Sequence, residues 1–234
     1  MRFYKKERII ISLGGSLLVP DSIDAEFVKA FKNFIIRYIK KGYSFILVTG
    51  GGKTARHYID AAIEVTPITD EDKDWLGIHA TRMNAHLVRT IFRKYAHPRI
   101  NTNPHDLEDF YSAPEPIIVA AGWRPGFSTD FDAVLLGKYL DAKRVINLSN
   151  VDMIYDQDPN KHIDAKPFPR MTWKEYRKLV GKQWNPGMNV PFDPIASSMA
   201  DEEGMEVAIM NGNDLKNVEN YILGKRFIGT VIKD

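Results

Sequence analysis

Three times along this chain a short apolar run stops at glycine. Arg8 to Leu13 (RIIISL) runs into Gly14-Gly15-Ser16, Tyr43 to Thr49 (YSFILVT) into Gly50-Gly51-Gly52, and Ile117 to Ala121 (IIVAA) into Gly122. The runs are β-branched and nearly continuous in apolar character, which predicts strands buried on both faces. Between them lie segments of helical period. Asp24 to Lys41 places Phe27, Phe31, Phe34, Ile35, Tyr38 and Ile39 on one stripe and ends at Lys41-Gly42. Alternating strands and helices of this kind predict an α/β fold with a mainly parallel sheet. Ligands of such sheets bind beyond the carboxyl ends of the strands, so the three glycine turns are expected on one rim.

The same reading predicts helices over 54–64, 76–95, 130–140, 173–180, 194–204 and 214–223, and strands over 144–148, 206–210 and 227–232. Residues 65–74 read as polar and irregular, and 98–116 and 151–169 as loops punctuated by proline. Charge excludes little but is informative: 32 basic against 30 acidic side chains leave +2, unlike the basic excess of a general nucleic-acid binder. No nucleic-acid partner is therefore expected. The absence of cysteine excludes disulfides and thiolate chemistry. No apolar run approaches the roughly 18 residues that a membrane-spanning helix needs. Ile9-Ile10-Ile11 is too short for a signal-peptide core, so a cytoplasmic protein without membrane contact is expected. None of the six histidines has metal-ligand spacing, and no protein metal site is expected.

The stretch Val48-Thr49-Gly50-Gly51-Gly52-Lys53-Thr54-Ala55-Arg56 looks at first like the end of a Walker A loop. That motif requires a glycine five residues before the GK glycine, and the residue there is Leu47, inside the strand. What remains is an anion site of another kind. Adjacent glycines expose successive backbone N–H groups at a helix start, and Lys53 and Arg56 add full charges. The competing reading is a tight connection with two solvated basic residues.

Three further segments carry a family resemblance. They are Asp74-Trp75-Leu76-Gly77-Ile78 with Thr81-Arg82-Met83-Asn84-Ala85, Gly122-Trp123-Arg124-Pro125-Gly126-Phe127-Ser128-Thr129-Asp130, and Asn150-Val151-Asp152-Met153-Ile154-Tyr155-Asp156-Gln157-Asp158-Pro159. With the GGGKTAR turn they resemble the amino acid kinase family, most closely its archaeal-type uridylate (UMP) kinase branch. The resemblance runs from Ile9 to the C-terminus in consistent order. It implies a three-layer α/β/α sandwich in one domain, with an acceptor lobe over about 1–140 and an ATP lobe over about 141–234. It implies direct transfer of a phosphoryl group from ATP, with Mg2+, onto UMP, and assembly as a hexamer.

The resemblance also distributes roles. Gly51 and Gly52 would sit at the transfer site, Arg56 on the UMP phosphate and Asp74 on the ribose hydroxyls. Gly126, Ser128 and Thr129 would contact the acceptor. Gly14, Gly15 and Ser16 would face the ATP phosphates. Asn150, Tyr155 and Asp158 would line the adenosine side, with Asp152 near metal and phosphates. Each role suits its chemistry, since guanidinium grips phosphate through a planar fork and phosphoryl transfer asks mainly for positioning and charge neutralisation. Simpler readings stand beside them: Asp74 as N-cap of a helix from Trp75, Thr129 or Asp130 as cap of a helix from Phe131, Tyr155 as a core aromatic, and Asp152 and Asp158-Pro159 as turn formers.

The sequence also departs from the family. The first strand often carries a lysine in a K-x-[SG]-G pattern, where this chain has Ser12-Leu13-Gly14-Gly15. Lys53 is the expected replacement and hence a catalytic candidate with Asp152; Lys182 is a second. Met153 stands where glycine is usual, and Asp132 adds a carboxylate expected to point away from the Asp130 face. Two other functions remain open: a kinase of the same fold acting on another acceptor, such as acetylglutamate or isopentenyl phosphate, and a non-catalytic nucleotide-binding or storage homologue.

Overall fold

The computed structural model describes residues 6–157, 159, 161–181 and 190–234. Asp158, Lys182 and the 183–189 segment lie outside the described residues. In chain order the elements are β1 (Arg8–Leu13), α1 (Gly15–Leu18), α2 (Ala25–Lys40), β2 (Ser44–Thr49), α3 (Gly52–Val65), α4 (Asp70–Ile91), α5 (Glu108–Tyr111) and β3 (Ile117–Ala120). They continue as α6 (Thr129–Tyr139), β4 (Arg144–Ser149), β5 (Arg170–Met171), α7 (Trp173–Val180), α8 (Pro194–Glu202), β6 (Glu206–Asn211), α9 (Leu215–Ile222) and β7 (Thr230–Ile232).

The strands form one sheet in the order β3-β2-β1-β4-β6-β7-β5. Every pairing is parallel except β6 with β7, so β7 and β5 run against the others. Side chains alternate across the sheet with period two, and the two sides build two cores. Ile9, Ile11 and Leu13 of β1, with Phe45 and Leu47 of β2, pack under Phe31 and Ile35 of α2, Val88 of α4 and Val218 of α9. Ile10, Ile46 and Val145 face the other way, under Val134 and Leu136 of α6, Trp173 and Tyr176 of α7, and Ala196 of α8. This is the expected three-layer sandwich.

The departures from the sequence reading have local causes. Residues 70–74 belong to α4 rather than to an irregular stretch. The Thr69 hydroxyl accepts from Asp72 N (3.1 Å) while Asp72 accepts from Thr69 N (2.8 Å). This capping box, with acids at 70, 71 and 72 on the positive end of the helix, starts a helix whose first turn carries no apolar signal. The four-residue α1 and α5 and the two-residue β5 are too short to show a period. Phe110, within the 98–116 stretch read as a loop, is fully buried, and its ring lies 4.6 Å from that of His97. Tyr111 beside it is exposed, and Trp123 is half-buried.

Candidate active site

Registers Leu13↔Thr49 and Val48↔Ala120 bring the ends of β1, β2 and β3 level, so the three glycine turns share one rim. The first two turns interlock. A Cβ on Gly15 would lie 1.9 Å from Gly52 N, and one on Gly52 would lie 2.3 Å from Gly15 O. Gly52 also has φ +65°, the left-handed region that side chains disfavour. No other residue type fits both places. Neither α1 nor α3 has a side-chain cap, and among the described residues Gly15, Ser16, Gly51 and Gly52 donate no turn hydrogen bond. Their N–H groups are left for an outside acceptor, and an anion is the natural one.

The third turn is tied to the second by α4. Asn84 donates to the carbonyls of Gly50 (2.8 Å) and Gly51 (3.3 Å). One turn earlier, the Thr81 hydroxyl accepts from Gly122 N (2.9 Å) and donates to Ile78 O (2.6 Å). Arg82 donates to the carbonyls of Gly122 (3.3 Å) and Trp123 (2.9 Å). Asp74, a further two turns back, accepts from Gly126 N (2.7 Å). The motif residues of α4 are thus struts between two loops. Asp74 sits inside the helix and is not its cap.

Between β1 and β4 lies a carboxylate, Asp130, for which the sequence reading offered only a helix-capping role. Asp130 accepts from Ser12 Oγ (3.0 Å), Asn147 Nδ2 (3.2 Å) and Asp193 N (3.3 Å). Asp193 caps α8 through the amides of Ile195 and Ala196, and it accepts from the Ser128 hydroxyl. Loss of solvent, and then the nearby Asp193 charge, raise the Asp130 pKa to about 7. Asp132 points elsewhere, as expected, and accepts from Trp123 N (3.1 Å). Burial, only partly offset by that bond and by Arg82, raises its pKa to about 7 as well. Asp132 Oδ1 is buried without a hydrogen-bond partner among the described residues. Asp130 stands in the quoted motif, but nothing in the sequence says that Ser12, Asn147 and Asp193 converge on it.

The other expected residues are placed as follows. Ser128, rather than Thr129 or Asp130, caps α6, accepting from Phe131 N (3.2 Å). Gly126 lies on the loop before Ser128, and Thr129 is the first residue of α6. Arg56 is exposed on α3, one turn past Gly52. Lys53 Nζ forms an ion pair with the exposed Asp21, whose carboxyl that hydrogen bond holds below its ordinary range. Asp152 is exposed and accepts from Asn211 Nδ2 (3.0 Å), and Asn150 is exposed beyond β4. Tyr155 is half-buried and bridges to Pro167 rather than filling the core. Among the described residues no group of three or more His, Cys, Asp or Glu side chains is placed to hold a metal.

A mainly parallel α/β sheet with interlocked, uncapped glycine turns at its carboxyl rim has the features of an anion site. The chain belongs to the amino acid kinase family, whose model matches residues 7–211. It is similar to the uridylate kinases of Thermoplasma volcanium (36% identity, covering 97% of this chain and 98% of that protein) and Pyrococcus abyssi (33%, covering 93% and 96%). The crystal structure of uridylate kinase from Archaeoglobus fulgidus superposes with a TM-score of 0.81 at 28% identity, covering 96% of this chain and 99% of that one.

Proposed function

We propose that the chain transfers the γ-phosphoryl group of ATP directly to UMP, giving ADP and UDP. The observation that carries the reading is the interlocked pair of turns, 14–16 and 50–52, each presenting free backbone N–H groups at one rim. Two phosphate chains held there approach end to end, which is the geometry an in-line transfer needs. The relatives' names supply the identities of donor and acceptor. The lobe over 1–140 offers Gly51, Gly52 and Arg56 to the acceptor phosphate, with Asp74, Gly126, Ser128 and Thr129 around it. The lobe over 141–234 offers Asn150, Asp152, Tyr155 and Asp158 to the nucleotide whose phosphates meet Gly14, Gly15 and Ser16.

Mg2+ fits this site as an ion carried on the donor phosphates. The described residues build no all-protein cage, and Asp152 offers one exposed carboxylate, the donor set that suits a cation keeping its waters and phosphate ligands. When bound, it neutralises charge on the phosphates. Lys53 supplies a further positive charge once its ammonium leaves Asp21. Coupled assays with UMP, CMP, acetylglutamate and isopentenyl phosphate test the acceptor, and turnover on UMP alone or far above the others is expected. A non-catalytic homologue is the second reading. It is favoured by Ser12, which puts a hydroxyl against Asp130 where the family often has lysine. ATP binding without turnover on any acceptor would establish it.

The assembled form is a homo-oligomer, the hexamer resting on family resemblance, and the cytoplasm is its place. Support comes from α3, which has no buried residue and leaves Tyr58, Ile63 and Val65 between 51% and 85% exposed. No helix among the described residues is long and apolar enough to cross a membrane.

A further inference from the structure

The sheet has a second polar recess, at the end away from the glycine rim. A groove of about 530 Å³ opens beside Arg144 and Glu206, the first residues of β4 and β6, and is floored by β7 and the edge strand β5. Its volume lies within the range of small-molecule sites. Tyr221 and Phe227 form one wall, their rings edge-on at 5.0 Å. Gly224, in the left-handed conformation (φ +67°), ends α9 and turns Lys225 into the same groove.

The charges there are unequally partnered. Glu206 accepts from the Tyr221 hydroxyl (2.6 Å) and from Lys233 (3.4 Å). Asp234 accepts from Trp173 N (3.0 Å). Arg144 is bound to Glu7 and lies 5.3 Å over the Tyr221 ring. Glu206 is therefore paired with a cation, while Asp234 is met by one backbone amide. Arg170 and Lys225 have no hydrogen-bond or ion-pair partner for their side chains among the described residues. Arg170 also borders an adjoining cavity of about 350 Å³ lined by Lys178 and by Glu175, whose carboxylate is tied to Thr172. Two basic side chains of the recess are thus left without an ion-pair partner among the described residues, and they stand beside an aromatic wall.

We propose that this groove binds a small polyanion, a phosphate- or carboxylate-bearing molecule gripped by Arg170 and Lys225 against Tyr221 and Phe227. Guanidinium and ammonium together suit an acceptor with at least two anionic oxygens. The site is independent of the nucleotide reading of the glycine rim and is about one strand length from it.

The test is calorimetric titration of the full chain at low salt with tripolyphosphate and, separately, citrate. Both variants used, R170A/K225A and R56A, change exposed side chains, and thermal melts check that each folds. One binding event is expected to weaken by about tenfold or more in R170A/K225A and to persist in R56A. Binding of tripolyphosphate alone assigns a phosphate ligand, and equal binding of citrate assigns a general polyanion. Retention of all binding in R170A/K225A, loss of all binding in R56A, or no binding of either probe overturns the proposal.

Discussion

Gly52 has both a left-handed backbone and a neighbour's carbonyl in the space a Cβ would take. Gly52→Ala should lower unfolding free energy by about 2–4 kcal/mol, through strain and clash together, as denaturant melts will show. Asp132 makes an opposite prediction. Burial raises its folded pKa to about 7, so between the unfolded value of 3.8 and that point the native state holds a proton the unfolded chain has lost. Stability from this group is full below the lower value and is lost as pH rises through the upper one. Asp132→Asn should therefore be more stable than wild type near pH 8 by about 1–3 kcal/mol, and the advantage should vanish near pH 4. Lys53 carries the third. Lys53→Ala should cut turnover by about a hundredfold with the fold intact. Asp21→Asn should leave turnover unchanged or raised, because it releases the ammonium. Normal turnover in Lys53→Ala would remove that residue from the mechanism.

At the scale of elements, α4 holds the site together. Its residues 74, 81, 82 and 84 reach two different loops, and Asn84 is the strut to the glycine turn. Asn84→Ala strips a buried donor from two carbonyls and should cost about 1–3 kcal/mol of stability. It should also raise the acceptor KM more than the ATP KM in steady-state kinetics; equal effects on both would put the strut elsewhere. Sequence showed this helix only in part. Its apolar period begins near Leu76, whereas its first turn is fixed by capping and charge at Thr69 to Asp72, which a search for periodicity misses. The strands β1, β2 and β3 were legible because each is largely apolar and is stopped by glycine. The Asp130 group was not. Ser12, Asn147 and Asp193 come from β1, β4 and the start of α8, and only the tertiary fold brings them to one carboxylate.

For the whole molecule, the sheet order decides where chemistry can occur. The chain runs outward from β1 through β2 to β3, then returns to the other side of β1 with β4 and β6. The crevice between β1 and β4 is the switch point, and Asp130 with Ser12 and Asn147 marks it. A parallel sheet was readable from strand–helix alternation, but the reversal at β7 was not, because a three-residue strand carries no direction in its sequence. The uncovered α3 face belongs to this scale too. Light scattering on purified protein should find an oligomer, and Tyr58→Glu with Val65→Glu should shift it to smaller species; a wild-type monomer would contradict the assembly. The central claim, that one rim holds donor and acceptor phosphates end to end, is tested most directly by a crystal structure with UMP and a non-hydrolysable ATP analogue. The account predicts the acceptor phosphate against Gly51, Gly52 and Arg56 and the γ-phosphate against Gly14 to Ser16, in line across the rim. Phosphates bound apart, with either turn untouched, would contradict it.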